Sequence, residues 1–353
     1  MPEFSAITPE HAKTIYHAVM EDLRGVFRAG EAPGYRMTGK NVRGVVVRGV
    51  LTRNRRRQDA WLKIILDPAS FAEPDRIRRF NRATTGRVRA QRIRMRGQTT
   101  MGHPWFIAEQ AVGKPLLDPD RYAGRPLASG KKKGLLAETF WDVMTAYLSP
   151  GMPEHGPAPV IWYDDKLMEW QQRGAKNGAI QKRLITPETL RDAVTAVHRA
   201  SERIPAPGTH YSHAHFANTE LRIADSRITL IDWGAAKFVP LMYDAAFWVW
   251  NATLYAWDVS SHDWLDEVSA YEDALCLPRA SSRGAHGRTI ADYRFTEADL
   301  RHAFNTALAE RMLGALLVDC AEGMPTTRSL TEQRHILTNV RAILRRSLER
   351  IGT

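Results

Sequence analysis

Cysteine is almost absent: Cys276 and Cys320 are the only two in 353 residues. They form no Cys-x-x-Cys pair, which argues against a zinc ribbon or a disulfide framework and fits a reducing, cytoplasmic compartment. Long apolar runs are missing too. The most apolar stretch, Ala245 to Trp257, is broken by Asn251 and Thr253 and is too short to cross a bilayer. It reads as a buried helix. No basic segment followed by an apolar run marks an export signal. Internal repeats and long low-complexity segments are lacking. Acidic residues are the remaining shortage: 39 Asp and Glu against 50 Lys and Arg leave a formal net charge of +11. That balance favours anionic partners such as nucleotides, phosphorylated metabolites, nucleic acid or acidic lipid, or else serves only solubility.

The length allows two units, each with its own core. The first third reads as strands with one basic helix. Val42 to Thr52 is valine-rich and punctuated by Gly44 and Gly49, as in a strand pair or hairpin. Asn54 to Gln58 reads as an exposed turn, and Asp59 to Leu66 as a short apolar strand enclosing Lys63. Phe71 to Ala83 is expected to be a helix, and Arg87 to Arg96 and Pro104 to Glu109 two further strands. After Val112-Gly113-Lys114-Pro115 the chain becomes mainly helical. Leu135 to Leu148 forms one helix, followed by a Pro/Gly-rich loop to Pro159. Thr186-Pro187 caps the next, and Thr296 with Asp299 and Ser329 with Glu332 are capping patterns. The expected organisation is α+β, with an N-terminal sheet unit at 1–111 and a helical unit at 112–353. Ligand sites favour the cleft expected between such units.

The chemistry concentrates in Tyr211-Ser212-His213-Ala214-His215-Phe216-Ala217-Asn218-Thr219-Glu220 and in Ile228-Thr229-Leu230-Ile231-Asp232-Trp233. The second segment is a β-prone strand with Asp232 at its carboxyl end. A short hairpin through Asp225-Ser226 is expected to bring Glu220 near Asp232. Two carboxylates at a cleft make a hard oxygen site suited to magnesium, which commonly bridges nucleotide phosphates. His210, His213 and His215 offer a zinc-site alternative, but no further ligand follows closely.

These segments resemble the aminoglycoside phosphotransferases, choline kinases and related small-molecule kinases. That family carries a His-Gly-Asp-x-x-x-x-Asn loop, a strand ending Ile-Asp-Trp or Ile-Asp-Phe, and a Tyr-Asp-Leu-Ala helix start. In the ungapped register His213 falls on the family histidine, Ala214 on the glycine, His215 on the catalytic aspartate and Glu220 on the metal-binding asparagine. Asp232 falls on the second metal ligand. Tyr243-Asp244-Ala245-Ala246 matches the helix start, making Asp244 the buried acid that braces the loop. A shifted register would put Asn218 at the metal position and His213 at the base. The resemblance implies a two-lobed protein-kinase-like fold that binds ATP and Mg. Lys63 would contact phosphates and Glu73 would pair with it. Phe106 to Ala111 would hold adenine through backbone groups of Glu109 and Ala111. Gly39, in Thr38-Gly39-Lys40-Asn41, would sit in the phosphate-covering loop.

Three positions depart from the family: His215, Glu220 and Trp61, the last two residues before Lys63 and so on its side of the strand. Trp61 either stacks on a base or fills the pocket. A neutral imidazole at 215 is compatible with a reaction governed by positioning and charge stabilisation. The expected activity is ATP- and Mg-dependent transfer of a phosphoryl group to a hydroxyl of a small molecule. Two alternatives stand beside it. One is a catalytically impaired pseudokinase that binds nucleotide or a partner. The other is a nucleic-acid or anionic-surface binder, suggested by the arginines at 53–57 and 76–96.

Overall fold

The computed structural model describes residues 7–38, 41–84, 86–115, 131–153, 156–205, 208–216, 220–256, 264–277, 295–323 and 329–352. The chain divides into two compact units. The smaller is Met1–Gly113 with Arg222–Ala236, and the larger is Lys114–Leu221 with Lys237–Thr353. The expected boundary had placed the strand end at 228–234 in the helical unit. It groups instead with the small one, because its strand bonds to a strand from the first third.

In the small unit, helix α1 (Pro9–Asp22) starts at Thr8, whose side chain accepts from the His11 N–H, with Pro9 in the first turn. Strands β1 (Phe27–Ala29), β2 (Gly34–Thr38), β3 (Asn41–Arg53), β4 (Arg56–Ile65), β6 (Ile93–Gln98) and β7 (Pro104–Glu109) form one sheet. Its order is β1-β3-β4-β7-β6, with β2 also on β3. Ala12, Ile15, Tyr16 and Val19 recur at helical spacing. They bury one face of α1 in a core with Val45, Val47, Leu62 and Ile64. Each fully buried aliphatic side chain contributes roughly 1.5–3 kcal/mol. Gly49 is required where β1 crosses β3, since a Cβ there would lie 2.3 Å from the Arg28 carbonyl oxygen.

The run Val42–Thr52 is one long strand rather than a pair, and the turn is only Asn54-Arg55, both left-handed at φ 48° and 60°. Arg87–Arg96 is two strands in two sheets. β5 (Val88–Ala90) pairs in parallel with β9 (Arg227–Leu230), which joins β8 (Leu221–Ala224). Helix α2 (Glu73–Ala83) packs Phe80 against Trp233, ring centroids 4.5 Å apart.

The larger unit holds α3 (Lys131–Tyr147), α4 (Pro159–Lys176), α5 (Pro187–Ser201), α6 (Tyr243–Asn251), α7 (Trp264–Leu275), α8 (Glu297–Gly314) and α9 (Leu330–Gly352). Helix α8 begins in a Thr296–Asp299 capping box and is buried continuously from Ala303 to Gly314. It lies against α5, α6 and α9. A short antiparallel pair, Thr209–Ser212 with Lys237–Pro240, leads into the histidine loop. No described helix is long and apolar enough to cross a membrane.

Candidate functional site

Cross-strand register builds one face of the small sheet. Val46, Lys63 and Phe106 lie opposite one another on β3, β4 and β7, and Arg48, Trp61 and Ala108 form the next row. Residues directly opposite share a face. This face walls a cavity of about 310 Å³ whose lining includes Arg36, Lys63, Glu73, Arg222 and Asp232. Trp61, Ala111 and Gly113 line it as well. Gly113 holds φ +112°, and a Cβ there would meet the Ile223 carbonyl oxygen at 2.2 Å.

Lys63 is the centre of the charge pattern. Its Nζ lies 2.6 Å from Glu73 Oε2 and 2.6 Å from Asp232 Oδ1. Side-chain exposure is 13% for Lys63, 1% for Glu73 and 17% for Asp232. A lysine so enclosed needs such anions. Arg36 on β2 donates to the other oxygen of Asp232. Burial opposes ionisation of Asp232, but Lys63 and Arg36 together hold its carboxyl well below the usual carboxylate range. Burial pushes the Glu73 carboxyl up, and Lys63 pulls it back.

Asp232 itself is left-handed, φ 66°. A non-glycine residue is held there only when its surroundings fix it. Arg76 of α2 donates to the Gly234 carbonyl at 2.6 Å, and Trp233 is buried against Phe80. The two residues that follow the acid are thus both held by α2.

The expected adenine contacts need one revision. Ala111 lines the cavity, but Glu109 is absent from its lining. The Glu109 N–H donates to the Arg92 carbonyl, its own carbonyl accepts from Gln91 Nε2 at 2.5 Å, and its carboxylate pairs with Arg94. Its backbone groups are therefore already engaged. Gln91, which the sequence reading passed over, is a lining residue in its place. Gly39 and Asn218 lie outside the described residues.

In the larger unit, Ser212 donates to buried Asp244 and accepts from the Ala214 N–H at 2.9 Å. Asp244 therefore braces the loop through Ser212. Burial raises its carboxyl to about 6, with Ser212, His213 and His215 opposing the shift. His215 Nδ1 is 2.8 Å from Glu220 Oε1, and its ring stacks obliquely on Phe247 at 4.9 Å. A carboxylate only accepts, so Nδ1 carries the proton and Nε2 the basic lone pair. The Glu220 carboxylate, assigned by the resemblance to a metal, here orients an imidazole. His213 Nδ1 lies 3.8 Å from its second oxygen. Among the described residues no group of three or more His, Cys, Asp and Glu side chains is arranged to hold a metal.

No family model matches the sequence, and no curated protein matches it. Solved structures do match. A thermostable mutant of aminoglycoside phosphotransferase APH(4)-Ia, in a ternary complex with AMP-PNP and hygromycin B, has a TM-score of 0.52 at 13% identity. The match covers 92% of this chain and 97% of that one. A choline/ethanolamine kinase family protein from Mesorhizobium loti gives 0.51 at 12% identity, over 97% and 98% of the two chains. Amicoumacin kinase hAmiN, in complex with AMP-PNP, Ca2+ and Ami, gives 0.50 at 12% identity over 96% of each. The chain has the α+β, protein-kinase-like fold of the aminoglycoside phosphotransferases and of the choline/ethanolamine kinase family.

Proposed function

We propose that this protein is a phosphotransferase that moves the terminal phosphoryl group of ATP to a hydroxyl of a small molecule, with magnesium. The observation that carries the reading is Lys63 held between Glu73 and Asp232 at the wall of a cavity lined by both apolar and cationic side chains. Trp61, Phe106 and Ala108 offer a flat apolar surface to a base, and Lys63, Arg36 and Arg222 offer positive charge to phosphates. Magnesium usually takes one or two protein carboxylates and leaves its remaining positions to phosphate and water, so the single Asp232 suits it. When bound, the cation would neutralise charge on the phosphates.

His215, oriented by Glu220, accepts the proton of the attacking hydroxyl at Nε2. Transfer then forms an oxygen–phosphorus bond to the acceptor and breaks the one to ADP. AMP-PNP in two of the similar structures supports the choice of nucleotide. Their acceptors belong to those proteins.

A second reading is a pseudokinase that binds nucleotide without turnover. The observation favouring it is Arg36 on the very carboxylate that a cation needs. ATP consumption across a panel of hydroxylated acceptors, for the wild type and Asp232→Ala, tests the first reading. Turnover in the wild type that vanishes in the variant is expected, and equal rates overturn it. Calorimetry with ATP and magnesium identifies the second: binding with no turnover on any acceptor.

A further inference from the structure

The two units do not share the formal charge. The small unit holds 23 Lys and Arg against 12 Asp and Glu, the whole of the +11, while the larger is balanced at 27 of each. Much of the excess stands at the end of the β3–β4 hairpin, at residues that do not line the proposed nucleotide cavity. Arg53 and Arg56 lie directly opposite each other across the ladder. Arg55 occupies the turn between them, and Arg57 follows. All four are exposed, and none of their side chains makes a hydrogen bond or ion pair among the described residues. Like charges directly opposite destabilise a hairpin. One acid at any of these positions would relieve the repulsion, and none is present.

The cluster extends on both sides. Arg94 on β6 is pushed below its ordinary value by burial, then by the charges of Arg92 and Arg53. The hairpin end and the start of β6 are therefore electrostatic neighbours. Beside the hairpin, a surface cavity of about 530 Å³ is lined by Arg24, Arg28, Arg57 and Thr52. Arg24 pairs with Glu21 at 2.6 Å, whereas Arg28 and Arg57 have no carboxylate partner among the described residues.

The chemistry of the patch narrows its partner. Among the described residues of the small unit the exposed large apolar ones are Met37, Met101 and Val112, none of them in the hairpin. A bilayer needs apolar side chains to insert, and a protein interface needs a buried apolar centre. No exposed aromatic ring is available at the hairpin to stack on unpaired bases. Of the unit's 23 cations 20 are arginine, whose planar fork matches phosphate oxygens. We propose that this end of the small unit, with Arg53, Arg55, Arg56 and Arg57 at its centre and Arg28 and Arg92 at its flanks, binds the phosphodiester backbone of a nucleic acid duplex without reading its sequence.

The test uses the full-length protein, with no ATP or magnesium added, and fluorescence anisotropy on short labelled RNA and DNA duplexes over a salt series. The wild type binds at about 50 mM salt, and its affinity falls steeply as salt rises. The variant Arg53→Gln/Arg55→Asn/Arg56→Gln/Arg57→Gln keeps a residue type that tolerates the left-handed turn. It binds at least about tenfold more weakly, and its log–log salt slope is smaller by roughly 3 to 4. A wild type that ignores duplexes at low salt overturns the proposal. So does a folded variant with unchanged affinity and slope. Binding to vesicles rich in phosphatidylserine without binding to duplex overturns it in favour of a membrane surface. The readout needs no phosphoryl transfer, so this proposal and the proposed function fail independently.

Discussion

Arg36 and Asp232, 196 residues apart in sequence, form an ion pair that places a guanidinium on the carboxylate proposed to take a cation. Lys63 holds the other oxygen of Asp232. A divalent ion entering without nucleotide must compete with Arg36. The Arg36 side chain is 51% exposed, so the pair contributes little, about 0.2–1 kcal/mol. Arg36→Gln is therefore expected to tighten Mn2+ binding to the nucleotide-free protein about two- to fivefold. Asp232→Asn should abolish that binding. Calorimetry or the paramagnetic signal of free Mn2+ measures both, and unchanged or weaker binding in Arg36→Gln sinks the idea of competition.

Glu73 is almost wholly buried and depends on Lys63 for its compensating charge. Lys63→Met strands a buried carboxylate and should cost roughly 3–5 kcal/mol. Lys63→Met/Glu73→Gln removes the stranded charge and should recover most of that loss, although neither variant would bind nucleotide normally. Urea unfolding of the two proteins decides. Equal destabilisation would show that Lys63 acts through packing of its stem rather than through charge.

How far the sequence discloses this site depends on whether the signal is local. Lys63 and Asp232 sit in short β-prone runs that mark them directly, and Glu73 is an acid at the start of the basic helix between them. Arg36 carries no such mark. It reaches Asp232 only because β2 folds back on β3, with Thr38 beside Asn41. Gln91 is equally silent, since its role arises where one apparent strand splits between two sheets. Strand propensity reports a fit to a pleated surface, not the identity of the partner. Helices α1 and α4 carry local signals in the sequence that the expectations above leave unused. Thr8-Pro9-Glu10 is a cap with proline in the first turn, and Pro159 opens a run in which Trp162, Tyr163, Leu167, Trp170 and Gly174 are buried at helical spacing. The Glu220–His215 bond was hidden for another reason. The resemblance assigned both residues separate partners, and only the loop geometry joins them.

That bond makes a kinetic prediction. His215→Ala should lower kcat roughly 10²–10⁴-fold, the usual span for a positioned base. Nucleotide affinity should stay close to wild type, because the residues proposed to hold nucleotide belong to the other unit. Glu220→Gln leaves a side chain able to donate as well as accept, so His215 loses its enforced tautomer and kcat should fall by a smaller factor. Steady-state kinetics beside calorimetry separates the effects. Normal turnover in His215→Ala rules out the imidazole as the base.

The pH dependence of folding supplies the last prediction. Asp244 titrates near 6 in the folded protein and near 3.8 when unfolded. The native state thus holds the extra proton between those values, and this contribution to stability is lost as pH rises through about 6. His210 runs the other way. Burial lowers it from 6.5 to about 4, so its contribution is present above the unfolded value and is lost as pH falls towards 4. Each shift is worth about 3 kcal/mol at its full extent, and over roughly pH 4 to 6 the two slopes oppose and largely cancel. Removing either group should expose the other. Asp244→Asn keeps an oxygen to accept from Ser212, and its stability should climb with pH across this window. In His210→Gln it should fall. Urea titrations at several pH values read the slopes, and parallel profiles in the two variants would contradict the assignment of opposite protonation states to these buried neighbours of the loop.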